Sequence, residues 1–262
     1  MAEFAGKVVA ITGAAGGIGQ VLCRHFVDVG ATVAAIDKNP AVGDLARSLV
    51  AGGGRVEFEV VDVSDTGAVP EAFARLEAKL GPVDVLVNNA GFSGYPILET
   101  TSPDTWKMLV DGNLNSAYVC AHAVLKSMKE RRAGVIVNIG SVNALLALGD
   151  PAYSAAKAGM ISLTQAIAIE YGRFGIRANI VLPGTVRTPV WDYRIEKNPE
   201  ILDQLVKWYP LRRIVDPIDI ARAVAFLASD LAAAITGAVL PVDCGLTAGN
   251  IQMTREITME DM

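Results

Sequence analysis

The stretch ITGAAGGIG, Ile11 to Gly19, lies between the apolar run KVVA and the helical stretch QVLCRHFVDVG. Glycine alone indicates only that the chain bends, because it tolerates a positive φ. Between a buried strand and a helix, however, glycines let a phosphate approach the backbone amides at the positively polarised start of the helix. The stretch therefore predicts either a plain turn or a phosphate site, and other parts of the chain have to distinguish the two.

Short runs rich in β-branched residues alternate along the chain with longer helical stretches. These runs are KVVAITG, TVAAID, VEFEVVDV, VDVLVNNAG, GVIVNIGS, RANIVLPG and GAVLPVD. The alternation predicts parallel pairing, and the continuous apolar runs predict a sheet covered on both faces. No linker divides the 262 residues. We therefore expect a single α/β domain with a three-layer, doubly wound parallel sheet.

Residues 186–214 depart from this alternation. They are rich in aromatic and charged side chains, which predicts a lid or specificity loop. The domain is expected to span residues 1–250, and residues 251–262 form a C-terminal tail.

Composition excludes several classes of protein. With a net charge of −5, the chain lacks the basic balance expected of a nucleic-acid or anionic-lipid binder. It contains neither a secretory signal nor a run of about 20 apolar residues. The three cysteines predict reduced core thiols, and His25 and His122 belong to no metal-ligand cluster. We expect a cytoplasmic protein with no metal and no nucleic-acid or membrane partner.

Two helical stretches, 113–128 and 153–171, are apolar or small on nearly all sides. A helix of this kind packs against something besides its own sheet. A second subunit is the economical partner, so we predict a homo-oligomer, a homotetramer arranged as a dimer of dimers. The alternative is a helix covered by loops of its own chain.

The run TVAAID ends in Asp37, eighteen residues after Gly19. A carboxylate at the tip of the second strand can accept hydrogen bonds from an adenosine ribose, which makes the phosphate-site reading of the glycine stretch much stronger. It would repel the 2′-phosphate of NADP, so NAD is the expected cofactor. Lys38 follows directly and weakens that preference. The alternative is a solvated acid at a strand end.

YSAAK places Tyr153 and Lys157 on one face of a predicted helix. An ammonium about 4 Å from a phenol is worth about 4 kcal/mol at an effective dielectric of about 20, so we expect Lys157 to lower the pKa of Tyr153. Ser141 ends a strand at the carboxyl edge of the sheet, where a hydroxyl can steady a substrate oxygen. Asn113 is a polar residue in an apolar stretch. The alternatives are a helix-surface pair and a satisfied core amide.

The motifs TGAAGGIG (residues 12–19), Asp62 before Val63, NNAG (88–91) and PGTVRT (183–188) accompany Asn113, Ser141, Tyr153 and Lys157 in one order. The chain thereby resembles the short-chain dehydrogenase/reductase (SDR) family from about Lys7 to Gly245, which implies a Rossmann fold. By this resemblance Tyr153 is the general acid/base, Ser141 orients the substrate oxygen, and Lys157 lowers the tyrosine pKa and binds the nicotinamide ribose. Asn113 holds a water of a proton relay.

The resemblance also implies the cofactor contacts. Asp62 would receive the adenine amino group beside Val63, and Val186 with Thr188 would fix the carboxamide. Gly16 stands where relatives that prefer NADP often carry a basic residue. The full expected cofactor set is Gly13, Gly16, Gly17, Ile18, Gly19, Asp37, Lys38, Asp62, Val63, Asn89, Ala90, Gly91, Tyr153, Lys157, Pro183, Gly184, Val186 and Thr188.

The expected activity is reversible oxidation of a secondary alcohol by hydride transfer to NAD. Besides Ser141 and Tyr153, the residues expected to contact the substrate are Ser93, Tyr95, Asn143, Arg187, Trp191 and Arg194. A polyol, a sugar or a small hydroxy-acid-like alcohol is the leading substrate class. The alternatives are an NADPH-dependent 3-oxoacyl-thioester reductase, which shares the catalytic residues, and a non-catalytic dinucleotide sensor.

Overall fold

The computed structural model describes residues 3–94 and 97–260, and within them the predicted sheet is present. All pairings between its strands are parallel, in the order β3-β2-β1-β4-β5-β6-β7. The strands are β1 (Val8–Thr12), β2 (Thr32–Asp37), β3 (Arg55–Val60), β4 (Val85–Asn88), β5 (Gly134–Ile139), β6 (Ile176–Pro183) and β7 (Val239–Val242). The expectation of a doubly wound, Rossmann-type single domain is confirmed.

Helices cover both faces of the sheet. They are α1 (Gly17–Asp28), α2 (Ala41–Ala51), α3 (Ala68–Leu80), α4 (Pro103–Val110), α5 (Ser116–Arg131), α6 (Pro151–Tyr171), α7 (Asp192–Lys197), α8 (Ile201–Val206), α9 (Pro217–Ala228) and α10 (Ile251–Thr258). One buried cluster joins α1, α2 and α9, and another joins α3, α5 and α6. Within β1, Val9 and Ile11 belong to the first cluster and Val8 and Ala10 to the second, as the alternation of side chains along a strand requires.

The chain reverses its direction of winding at β1, whose neighbours are β2 and β4. The loops that follow β1 and β4 therefore diverge and leave a crevice at the carboxyl ends of the strands. The glycine stretch follows β1, and the NNAG motif begins at the end of β4. This topology places both motifs at the edge of the sheet where open α/β folds bind ligands.

The segment predicted as a lid contains two short helices, α7 and α8, rather than irregular loop alone. Its base is closed by a bridge between Val186 and Val215. There the Tyr209 hydroxyl accepts a hydrogen bond from the Thr185 amide at 3.1 Å. The C-terminal tail is helical as α10, and Gln252 donates to the carbonyl of Lys207. The tail is thus fastened to the end of the lid.

Cys23, Cys120 and Cys244 are free and buried, as predicted for core thiols. None of the helices in the described ranges is both long and apolar enough to cross a membrane. On the two helices predicted to meet a partner subunit, Tyr118 of α5 is 53% exposed and Ile169 of α6 is 84% exposed. The chain's own loops do not cover these two positions, and the covering by a second subunit stays a prediction.

Candidate active site

A cleft of about 870 Å³ opens between the loop after β1 and the loop after β4. Many of the predicted cofactor residues line it: Gly13, Gly16, Gly17, Ile18, Asp37, Lys38, Asp62, Val63, Asn89, Ala90, Gly91 and Thr188. Sequence reasoning missed other lining residues, namely Val61, Ser64, Phe92, Asp104, Lys107, Met108, Asp111, Gly112 and Val190. No motif marks this second group, because these residues come from the flanks of the motifs and from α4.

Glycine is required at three positions of this loop because a Cβ there would clash with neighbouring atoms. Gly13 has a φ of +63°, and a Cβ there would lie 2.8 Å from the Cα of Ala90. A Cβ on Gly17 would lie 2.7 Å from the Cβ of Thr188, and one on Gly19 would lie 2.0 Å from the carbonyl oxygen of Gly13. Gly16 caps α1 without any side-chain hydrogen bond. The amides of the first turn of α1 therefore meet no capping side chain, as a phosphate site requires.

Asp37 lines the cleft and is held in place by backbone hydrogen bonds. Its Oδ2 accepts from the Ala15 amide at 2.9 Å, and its Oδ1 accepts from the Asn39 amide at 2.8 Å. Each carboxylate oxygen has a second lone pair, so the group can still accept from a ribose hydroxyl. Lys38 lies 3.4 Å from Asp62 in an exposed ion pair. Its ammonium is thereby partly neutralised by the residue that the resemblance assigns to adenine.

The pKa of Asp62 reflects opposing effects. Partial burial raises it, but hydrogen bonds from Ser64 and the nearby ammonium of Lys38 outweigh burial, so the pKa lies below its usual value. The Ser64 amide and hydroxyl both donate to Oδ1, at 3.0 and 2.8 Å. Asp62 is therefore held as an oriented anion at the cleft wall.

Thr12 and Asn89 join the two loops of the crevice. The Thr12 hydroxyl accepts from the amides of Asn89 and Ala90 at 3.1 and 3.0 Å. The Asn89 side-chain amide donates to the carbonyls of Thr12 and Gly13 at 3.0 and 3.1 Å. Asn89 therefore shapes the cleft by hydrogen bonding to the glycine loop. The structural role of Thr12 was missed, although it begins the TGAAGGIG motif.

The four predicted catalytic residues come from three elements. None of them is among the residues that line the cleft, but Asn113 and Lys157 adjoin Gly91, which does line it. Ser141 follows β5, Tyr153 and Lys157 lie in the first turns of α6, and Asn113 lies in a π-turn between α4 and α5. Lys157 is only 3% exposed, and its Nζ donates to the carbonyl of Ile139 at 2.8 Å. Nζ lies 5.6 Å from the centroid of the Tyr153 ring. The predicted pairing of Tyr153 and Lys157 on one helix is present.

The expected electrostatic effect of that pair differs in the protein without cofactor. Burial raises the pKa of Tyr153 above 10, and the charge of Asp150 raises it further, whereas hydrogen bonding to Ser141 lowers it. Burial also lowers the pKa of Lys157 to about 7. The expectation that Lys157 depresses the tyrosine pKa is therefore not met in the free protein. The physical reason is that burial disfavours both charged forms, the phenolate and the ammonium.

Gly91 lies between two of the predicted catalytic side chains. A Cβ on Gly91 would lie 2.6 Å from Oδ1 of Asn113 and 3.2 Å from Nζ of Lys157. The φ of Gly91 is not positive, so the glycine is required by this close approach and not by its backbone conformation. The last residue of NNAG thus permits Asn113 and Lys157 to approach each other.

The Asn113 side chain is fully buried, and protein groups occupy its polar atoms. Its Oδ1 accepts from the Phe92 amide at 3.2 Å, while its Nδ2 donates to the carbonyls of Phe92 and Leu109, both at 2.9 Å. The side chain therefore clamps the backbone of residue 92. This geometry matches the satisfied core amide more closely than a side chain that holds a relay water, and the relay stays a proposal.

Of the predicted substrate residues, Asn143 contacts Ser141, which is also a predicted catalytic residue. Asn143 donates to the Gly149 carbonyl and the Ser154 hydroxyl, and its Oδ1 accepts from Ser141 at 3.3 Å, so it orients Ser141. Ser93 is exposed, and Tyr95 lies outside the described residues.

On the lid, the Arg194 guanidinium lies 5.0 Å from the Trp191 ring centroid, and the Arg187 side chain is exposed. Neither arginine forms an ion pair in the described residues. Both guanidinium groups thus stay without a carboxylate partner among these residues, and their binding of an anionic substrate group stays a prediction.

Six predicted cofactor residues are not among those that line the cleft: Tyr153 and Lys157, described above, and Gly19, Pro183, Gly184 and Val186. Gly19 packs against the glycine loop, and Val186 is buried at the bridge to Val215. Pro183 ends β6, and the Gly184 amide bonds to the carbonyl of Val242. Pro183, Gly184 and Val186 lie at the base of the lid, where backbone contacts to a ligand stay a proposal.

Comparison with known proteins agrees with this geometry. Residues 13–247 match a family model described as "Enoyl-(Acyl carrier protein) reductase". The chain is 45% identical to the relative named uncharacterized oxidoreductase C922.06 from Schizosaccharomyces pombe, over 98% of this chain and 96% of that protein.

Two solved structures have the same fold. One is an oxidoreductase of the short-chain dehydrogenase/reductase family from Burkholderia thailandensis, with a TM-score of 0.91, 48% identity and coverage of 97% of this chain and 98% of the other. The second is a 3-oxoacyl-[acyl-carrier protein] reductase with bound NAD from Brucella melitensis, with a TM-score of 0.85, 32% identity and coverage of 93% and 92%. The family model and the relatives cover nearly the whole chain, and they agree with the fold, the cleft and the order of the motifs. The chain is an oxidoreductase of the short-chain dehydrogenase/reductase family.

Proposed function

We propose that the protein oxidises a secondary alcohol to a ketone with NAD, and that Tyr153 accepts the hydroxyl proton. The observation that carries this proposal is the convergence of Ser141, Tyr153 and Lys157. Nζ of Lys157 lies next to Gly91, which lines the same cleft as Asp37. A proton acceptor and a ribose acceptor that adjoin one crevice fit hydride-transfer chemistry.

The residues of the chain have distinct roles in this reaction. NAD, when bound, supplies the ring carbon that accepts the hydride. Ser141 accepts a hydrogen bond from the Asn143 amide and turns its single O–H from Oδ1 of Asn143 to the substrate oxygen when the substrate binds. In oxidation Tyr153 acts as the phenolate, which Lys157 stabilises once the phenolic proton has left to solvent. The phenolate then accepts the proton of the substrate hydroxyl and becomes a phenol. Because Tyr153 is a phenol at neutral pH, the same hydroxyl serves as the acid when the reaction runs toward reduction.

Lys157 is prepared for this role by its contacts. An ammonium has three donors, and those of Lys157 include one to the Ile139 carbonyl and one 3.5 Å contact to the Met160 sulfur. The remaining donor is available to a ribose hydroxyl. Such an acceptor, together with a developing phenolate, favours the charged form of Lys157. We therefore propose that Lys157 takes up a proton as the ternary complex forms.

We propose NAD as the cofactor because Asp37 would lie beside the adenosine ribose. A 2′-phosphate there would face the Asp37 carboxylate, while Lys38 is engaged with Asp62. The NAD-bound Brucella melitensis reductase supports a nicotinamide dinucleotide in this fold. We also propose a homo-oligomer through the exposed faces of α5 and α6, in the cytoplasm, with a polyol, sugar or small hydroxy-acid-like alcohol as substrate.

Reduction of a 3-oxoacyl thioester with NADPH is the second candidate. It is favoured by the activity named for the Brucella melitensis neighbour, a 3-oxoacyl-[acyl-carrier protein] reductase. It uses the same Ser141, Tyr153 and Lys157. It differs in requiring a site that tolerates the 2′-phosphate, which Asp37 opposes.

A substrate screen tests the proposal. Polyols, sugars, hydroxy acids and steroids are each supplied with NAD and with NADP at mildly alkaline pH, and nicotinamide reduction is followed by absorbance. A 3-oxoacyl thioester is supplied with NADH and NADPH in parallel. We expect an alcohol that reduces NAD faster than NADP. Preferential turnover of the thioester with NADPH contradicts the proposal, and so does binding of NAD without turnover of any substrate.

A further inference from the structure

Asp150 occupies a strained position immediately before α6. Its φ is +53°, in the left-handed region, and it precedes Tyr153 by three residues. A non-glycine residue in this region costs on the order of 1 kcal/mol, although Asp and Asn tolerate it better than other residues. Motif analysis of the sequence does not single out this residue. Its contacts show what the strained conformation achieves.

One oxygen of Asp150 ties two distant parts of the chain together. Oδ2 accepts a hydrogen bond from the Gly94 amide at 2.7 Å, across 56 residues of sequence. Gly94 belongs to the segment after β4 that also carries Ser93, a predicted substrate residue. We refer to residues 91–94 as the substrate-side loop. Hydrogen bonds to a charged acceptor are about twice as strong as neutral ones, so this contact is a specific attachment.

The other oxygen of Asp150 is buried and has no hydrogen-bond partner among the described residues. Ser154 lies close by, but its hydroxyl bonds to the backbone carbonyl of Asp150 at 2.9 Å and not to the carboxylate. Buried carboxylate oxygens are seldom left in this state. The charge of Asp150 is therefore only partly neutralised by its own surroundings.

Tyr153 is the group on which this charge acts. Burial is the larger cause of its raised pKa, the Asp150 carboxylate adds to it, and Ser141 opposes it. The other charged group beside the ring is Lys157 on the same helix, with Nζ 5.6 Å from the ring centroid. Among the groups that shift the pKa of Tyr153, Asp150 is the one that carries a negative charge.

We propose that Asp150 is a positioning residue that fastens the substrate-side loop to the start of α6 and places a negative charge one helical turn before Tyr153. The attachment joins the loop to the helix that carries the reacting group. The charge adds to the effect of burial in favouring the protonated form of Tyr153, so the residue favours the acid form needed for reduction and moves oxidation to higher pH. This consequence for turnover rests on the proposed function, whereas the attachment and the charge do not.

Two variants separate the two effects. Asp150→Asn keeps an oxygen acceptor for Gly94 and tolerates the left-handed conformation, but it removes the charge. Asp150→Ala removes both. Asp28→Asn, an exposed acid at the end of α1, is the matched control. Hydrogen exchange of residues 91–94 reports the attachment. Tyrosinate absorbance, taken as the difference from Tyr153→Phe, reports the titration of Tyr153, and neither readout needs a substrate.

We expect hydrogen exchange in residues 91–94 to accelerate about tenfold in Asp150→Ala, the effect of losing one charge-assisted hydrogen bond, and to stay near wild type in Asp150→Asn. The titration of Tyr153 moves to lower pH in both variants. With a substrate in hand, KM rises in Asp150→Ala alone, and the acid limb of oxidation moves to lower pH in both.

Unchanged exchange in Asp150→Ala overturns the attachment, and an unchanged Tyr153 titration in Asp150→Asn overturns the charge effect. If Asp150→Ala does not fold, the Asn variant still decides the second claim. Asp150→Gly, which suits the left-handed conformation and also lacks the acceptor for Gly94, then decides the first. Failure to find any alcohol substrate refutes the proposed function and leaves both readouts intact.

Discussion

Replacing Lys157 with methionine is expected to abolish turnover and, at neutral pH, to make the protein more stable. Met is unbranched, apolar and similar in volume to the lysine stem, so it fills the same buried space. The lysine is 3% exposed, and burial lowers its pKa from 10.5 to about 7. In the unfolded chain the pKa returns to its ordinary value. The folded state therefore gives up a proton that the unfolded state keeps.

The sign of the pH dependence follows from that difference. Between pH 7 and 10.5 the unfolded state binds more protons, so the free energy of unfolding rises with pH in this window. The full difference corresponds to about 5 kcal/mol at about 1.4 kcal/mol per pKa unit, and between pH 7 and 9 the rise is about 2 to 3 kcal/mol. Loss of the hydrogen bond to the Ile139 carbonyl offsets about 1 to 2 kcal/mol. Lys157→Met is thus stabilised by about 2 to 4 kcal/mol at pH 7.

Urea unfolding at pH 7, 8 and 9 without cofactor measures this effect, at one fixed protein concentration. Lys7→Met, which changes an exposed lysine, is the matched control. Burial raises the pKa of Cys23 and Cys120 to about 12, which lowers stability as pH rises through the ordinary thiol range. All three proteins share that contribution, so the difference between wild type and Lys157→Met isolates the lysine. A Lys157→Met protein that is less stable than wild type at pH 7, with the same pH slope, would refute the reasoning.

Three further substitutions test other parts of the site. Gly91→Ala places a methyl 2.6 Å from Oδ1 of Asn113 and 3.2 Å from Nζ of Lys157, so kcat should fall by about tenfold or more, and an unchanged kcat contradicts the close approach. Asp37→Asn removes the charge beside the adenosine ribose, and the ratio of kcat/KM for NADP to that for NAD should rise about ten- to thirtyfold, equivalent to about 1 to 2 kcal/mol. A constant ratio would argue against Asp37 as the selecting group. Tyr209→Phe leaves the Thr185 amide without its acceptor at the base of the lid and should lower the free energy of unfolding by about 1 to 2 kcal/mol, with equal stability as the contrary result.

The sheet could be predicted from sequence because each strand is a local signal. Runs such as TVAAID combine β-branched composition with continuous hydrophobicity, and the alternation with helices leaves parallel pairing as the solution. The placement of the Gly13 loop and of Asp37 follows from that topology, since the carboxyl ends of β1 and β2 share one edge of the sheet. The helix carrying Tyr153 and Lys157 follows from their spacing.

The remaining features depend on contacts between segments that are distant in the chain. Asp150 contacts Gly94, which lies 56 residues away in the chain. The hydrogen bonds between Asn113 and the backbone of residue 92 start from a π-turn, and no spacing of residues in the sequence predicts that turn. The pKa directions of Tyr153 and Lys157 were also beyond reach, because the distance between two charges can be estimated from helical spacing but their shared desolvation cannot.

Proton transfer by Tyr153 is tested most directly by the rate of the first turnover in Tyr153→Phe, measured by rapid mixing of alcohol with the NAD complex, alongside the Kd for NAD. The phenyl ring retains the shape of the site but has no hydroxyl to accept the proton. We predict a hydride-transfer rate lower by about 10³-fold, within the range for loss of a general acid/base, and a Kd for NAD within about threefold of wild type. A rate near that of wild type, with NAD bound equally well, would contradict the assignment of Tyr153.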